Sequence, residues 1–194
     1  MSRNLRNKLD KLKAGIGIFS PIYVYIFLKM LEMSKQKKDM EAITKEIEKS
    51  TEGLVGCPYS QWPEVRKKDF DRLAEILPKE KWIRLYAEVI YFLIFTISGY
   101  SCKYIDQEDR VLIPDCLFEI FDDSELWIEG QPEDDAYNKY AQAKISPLEK
   151  FSHEIAKISG LEDEMFLMFF AFKVTGIFKF FIAPAIDKIF SDYE

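Results

Sequence analysis

The chain has a single histidine, His153, four residues after Glu149 and next to Glu154. On a helix this spacing sets an imidazole and a carboxylate on one face, the minimum for a proton-transfer pair or a metal site. A di-iron bundle needs two Glu-x-x-His pairs with further glutamates, and a zinc site needs several Cys or His ligands. One histidine supplies neither, so no metal is expected. Phased at 100° per residue against Leu148, Phe151, Ile155 and Ile158, His153 falls opposite the apolar stripe and is predicted to face outwards.

Cys57 is the second place to look. Its setting, Gly-Cys-Pro-Tyr-Ser, is similar to the Cys-Pro-x-x order of thiol oxidoreductase sites. Those sites draw their reactivity from a preceding strand and a helix that lowers the thiol pKa. No such strand is legible, so a turn with a small apolar anchor is expected. If one residue of the chain is reactive, this loop holds it, with Tyr59, Gln61 and Trp62 close by. Cys102 and Cys116 read as small buried hydrophobes. Three widely spaced cysteines fit a reduced, cytoplasmic chain better than a disulfide framework.

Glu88 is the third. It opens the apolar run Val89 to Ile97, and a carboxylate buried there would be costly and a mark of function unless paired. Arg84, one turn earlier, is the expected partner. The weak catalytic candidates are therefore Cys57 and Glu88. No phosphate-binding Gly-rich loop, nucleophile elbow or EF-hand spacing accompanies them, and no motif implies a cofactor.

The elements that would position these groups are helical. At 194 residues, 48% apolar and 31% charged, the chain is long enough for one domain with a real core. Residues 1–50 carry 11 Lys and Arg against 6 Asp and Glu, while residues 106–164 carry 5 against 17. Two solvated faces account for this asymmetry. With net charge −6 and no helix-turn-helix pattern, nucleic acid is not an expected partner.

Leu5, Leu9, Leu12, Ile16 and Phe19 make residues 1–19 an amphipathic helix with five cations outside, suited to packing or, less well, to an anionic membrane surface. Ser20-Pro21 reads as the cap and first position of a second helix running to about Lys49, with Ile26, Met30, Met33, Met40, Ile43 and Ile47 inward. Residues 51–63 are a loop. Helices follow over 63–77 and 79–100, then a short one over 114–121. Residues 122–132 form an acidic linker holding Trp127, and Pro132 opens another helix. Ser146-Pro-Leu-Glu149 is a capping box that starts the helix ending at Gly160.

The last long helix, from Met165, has seven Phe in its first seventeen residues. Met165 to Ala183 contains eleven Leu, Ile, Val or Phe, but Lys173 and Lys179 offset most of the insertion gain, so it is marginal as a membrane span. Pro184 closes or kinks it. This segment and 86–97 are apolar on all sides and are expected at the centre of the fold. The predicted architecture is an all-α, single-domain bundle of seven or eight helices covering residues 1–194. The functional expectation is a soluble binding protein whose Tyr91, Phe95, Phe166, Phe169 and Phe172 line a pocket for an apolar small molecule or a surface for a second copy. An enzyme using buried carboxylates or Cys57, and a peripheral membrane protein, are the rival expectations.

Overall fold

The computed structural model describes residues 2–121, 138–161 and 163–191. Among these the chain forms eight α-helices and no strand: α1 (Arg3–Lys35), α2 (Met40–Thr51), α3 (Glu64–Ala74), α4 (Lys79–Ser101), α5 (Leu112–Phe118), α6 (Pro147–Ser159), α7 (Glu164–Ile177) and α8 (Ala183–Ser191). The all-α bundle read from periodicity is the fold observed.

Local chemistry sets most boundaries. Ser2, Asp39, Ser146 and Asp163 each accept a hydrogen bond from a first-turn amide, satisfying donors that a helix start leaves orphaned. Gly160 ends α6 in the left-handed region at φ 74°, where a side chain would be strained. The loop expected over 51–63 is present, as turns around a short 3-10 segment, Tyr59–Gln61. The acidic linker, Trp127 and the helix start at Pro132 lie outside the described residues; residues 138–141 are helical.

Two expectations fail. Pro21 does not open a helix: it lies inside α1, which runs unbroken from Arg3 to Lys35, and the break comes instead at Gln36–Asp39. A proline in a helix interior costs about 3 kcal/mol through a lost hydrogen bond and a ring clash. Burial on both sides of it outweighs that cost, because every residue from Phe19 to Leu31 is buried. Ser20, read as a cap, instead lies 3.4 Å from the Tyr86 hydroxyl on α4.

The second failure follows from the first. The centre of the bundle is α1 with α4, which pack on each other and both on α5 and α8, while α6 packs on α4 and α7 on α1. The Phe-rich α7 occupies the side. Phe166, Phe170, Val174 and Ile177 turn inwards, whereas Met165, Met168 and Phe172 are 62%, 73% and 73% exposed. Beyond α7, Phe178–Ile182 form a π-turn, in which the Ala183 amide bonds the Phe178 carbonyl. This wider turn comes just before Pro184, which has no amide to donate, so the helix continues into α8.

Candidate functional site

Along the inner edge of α7 runs an apolar groove. One part, a cavity of about 250 Å³, is walled by Phe92, Phe95 and Thr96 from α4, Pro147 and Leu148 from the start of α6, and Val174, Thr175 and Phe178. The second part, about 430 Å³, continues between α6 and α7 past Leu148, Ser152, Leu167, Met168 and Ala171. Ser146 and Leu148 border both. Together these volumes fall within the size range of small-molecule sites, roughly 300–1,000 Å³.

The sequence makes this groove apolar in a specific way. Thr96 Oγ1 donates to the Phe92 carbonyl at 2.9 Å, Thr175 Oγ1 to the Ala171 carbonyl at 2.9 Å, and Ser152 Oγ to the Leu148 carbonyl at 3.0 Å. Ser146 Oγ accepts from the Glu149 amide at 3.1 Å. Each hydroxyl is spent on a nearby backbone group of its own helix. What remains towards the groove is methyl and ring surface. Its polar end is formed by His153, Glu149 and Glu164. His153 is exposed, as its phase predicts.

The floor is held rigidly. Phe92 stacks on Phe151 with ring centroids 4.2 Å apart and interplanar angle 5°, and meets Tyr140 edge-on at 5.8 Å. Phe95 lies 5.6 Å from the same Tyr140 ring. Tyr140 in turn donates to the buried carboxylate of Glu88, which also pairs with Lys139. Burial and the Glu88 charge both push the Tyr140 phenol far above its ordinary pKa, so it stays a proton donor. Arg84 is not the partner that closes this pair. Both partners come from the helical segment at 138–141, which no i, i+4 reading of α4 reaches.

Of the five predicted binding residues, only Phe95 lines the groove. Tyr91 is buried against Phe118 and Phe121, with ring centroids 6.0 and 5.1 Å away. Phe166 is core; Phe169 is half-buried beside Lys173; Phe172 faces outwards. They do not converge. Sequence reasoning missed Phe92, Leu148, Val174 and Phe178, whose alignment depends on where α6 crosses α4 and α7. The capping box fixes where α6 begins, with Leu148 two residues past the cap, but it carries no signal of which helices that start will face.

The other candidates have structural partners. Half-buried Cys57 directs Sγ to the Pro58 carbonyl at 3.7 Å, and its own carbonyl accepts from Trp62 Nε1 at 3.0 Å. Tyr25, Tyr59, Trp62 and Phe70 cluster beside it. Below them Asp69 takes Lys29 at 2.8 Å, the Tyr25 hydroxyl at 2.7 Å and Arg72 at 2.8 Å, tying α1 to α3. Burial alone would raise the Asp69 carboxyl, but these donors outweigh it and hold the pKa down to about 2. Among the described residues no group of three or more His, Cys, Asp or Glu side chains converges on a metal position.

Among the described residues three helical stretches are long and apolar enough to cross a membrane by length and composition. They are Arg3–Lys35, Lys79–Tyr104 and Glu164–Ser191. Within the fold 78% and 67% of the first two apolar windows are buried, but only 33% of the third. No family model matches the chain, and neither a curated protein nor a solved structure matches it.

Proposed function

We propose that the protein is a binding protein for an elongated apolar molecule, held in the groove between α4, α6 and α7. The observation that carries this reading is the disposition of the groove's hydroxyls. Thr96, Thr175, Ser152 and Ser146 are all engaged with helix backbone, so the walls offer dispersion and desolvation and nearly no competing hydrogen bonds. At the open end His153 is flanked by Glu149 and Glu164, which favours a neutral or amine head group over a carboxylate.

Titration with the neutral apolar dye Nile red tests this. Saturable binding with one dye per chain is expected, and native mass spectrometry of gently purified protein should retain a non-protein mass. Leu148→Trp, which fills the groove, and Thr175→Trp, placed at its mouth, should each weaken dye binding at least about tenfold. Both variants must keep the helical circular dichroism of the parent. Undiminished binding by both folded variants would sink the reading.

A further inference from the structure

Of the three long apolar helical stretches, Glu164–Ser191 is the least covered. It is also the most apolar of the three. Met165, Met168 and Phe172 stand on one exposed stripe, and Phe180 and Phe181, 68% and 45% exposed, follow along the same helix. Exposed Phe and Met side chains collected on one element mark an interaction surface, since soluble surfaces seldom gather them.

The charge on this helix selects among partners. From Met165 to Ile186 there is no Asp or Glu; the only charged residues are Lys173 and Lys179. Lys173 is bridged to Glu48 at 3.3 Å, while exposed Lys179 sits 5.5 Å over the Phe180 ring. The next carboxylate, Asp187, is taken up by Lys103 at 3.1 Å, Tyr100 at 3.2 Å and Tyr104. Further on, Lys8 lies 5.0 Å from the Phe190 ring, so the basic start of α1 adjoins the same helix. A second copy pairing this face with itself would offer Lys179 few carboxylates, because Glu164 stands at the far end of the helix and Glu48 is already taken by Lys173. A surface of lipid phosphates answers both features: its acyl boundary takes the rings and its anionic headgroups take the ammonium groups.

We infer that the outer side of this helix docks, in the plane of the interface, on an anionic lipid bilayer. Met165, Met168, Phe172, Phe180 and Phe181 enter the acyl boundary, and Lys179 reaches the phosphates. The inference rests on the exposed face and not on what the groove holds. It does give the groove a source of apolar ligand, because Met168 borders both.

Flotation of the full chain tests it, with vesicles of phosphatidylcholine alone and of phosphatidylcholine and phosphatidylglycerol in equal parts. The protein should float with the mixed vesicles and be released by alkaline carbonate. The double variant Phe172→Glu, Phe180→Glu should lower partitioning at least about tenfold, and Lys179→Glu should lower it about fivefold on the mixed vesicles. The substituted positions are exposed, so unchanged circular dichroism is the control for folding. Three results would overturn the proposal: no flotation with either vesicle, flotation of the double variant at the parental level, or retention through carbonate extraction, which marks a spanning helix. A parental dimer that the double variant dissociates, without vesicle binding, would assign the face to a second copy instead. Nile red titration of the same double variant in lipid-free buffer keeps the two readings separate, since neither Phe172 nor Phe180 lines the groove.

Discussion

Tyr140 donates its hydroxyl to Glu88, 52 residues earlier in the chain, and both side chains are buried. The pair places a carboxylate in the middle of the bundle without leaving it bare, because Lys139 approaches the other carboxylate oxygen. It also connects the groove to the core, since the Tyr140 ring packs against both Phe92 and Phe95.

Removing either member should therefore be costly. Tyr140→Phe is expected to lower unfolding free energy by about 1–3 kcal/mol, and Glu88→Ala by about 3 kcal/mol or more, because Lys139 then loses its counterion. Urea denaturation of the single and double variants should show strong non-additivity. Additive losses would mean that the pair does not act as a unit.

The Asp69 network should give way only in strong acid. Its folded pKa of about 2 lies below the unfolded value of roughly 3.9, so its contribution is fully present above the unfolded value. That contribution is lost as pH falls from about 4 towards 2. Asp69→Asn should cost about 2–3 kcal/mol at neutral pH, where Lys29 is left poorly paired, and much less near pH 2. Thermal melts of parent and variant across this range should converge at the acid end; a constant difference would contradict the linkage.

The unbroken α1 predicts a hydrogen-exchange pattern. In a helix starting at Pro21 the amides of Ile22, Tyr23 and Val24 would be unpaired first-turn donors and exchange quickly. In the continuous helix they bond back into the preceding turn, inside the most buried stretch of the chain. Slow exchange at these three positions is expected, approaching that of Phe27 and Leu28.

Ser146 caps α6 through the Glu149 amide at 3.1 Å. Ser146→Ala should destabilise by about 1 kcal/mol and weaken Nile red binding modestly, because Pro147 and Leu148 begin the groove wall. Ser146→Asp, which caps equally well, should restore both. Failure of Asp to rescue would separate the cap from the groove.

Short-range physics was legible in the sequence. Helical period, the Ser146 cap, the left-handed Gly160 and the outward phase of His153 each depend on residues within one or two turns, and each is observed. Of the inward stripe, Ile26, Met30, Met33, Ile43 and Ile47 are buried and Met40, next to the new helix break, is only half-buried. Tertiary structure decided the matters in which two distant energies compete. Pro21 has a local preference for helix starts, and only the burial of α1 on every side could override it. A helix apolar all round, such as α7, carries no mark of which face will be covered; the packing of α1 against α4 filled the centre and left α7 one face inside and one outside. Glu88 likewise had a local partner in Arg84, but the carboxylate is too deeply buried for a surface pair, and Lys139 with Tyr140 supply the donors from the far side of the fold.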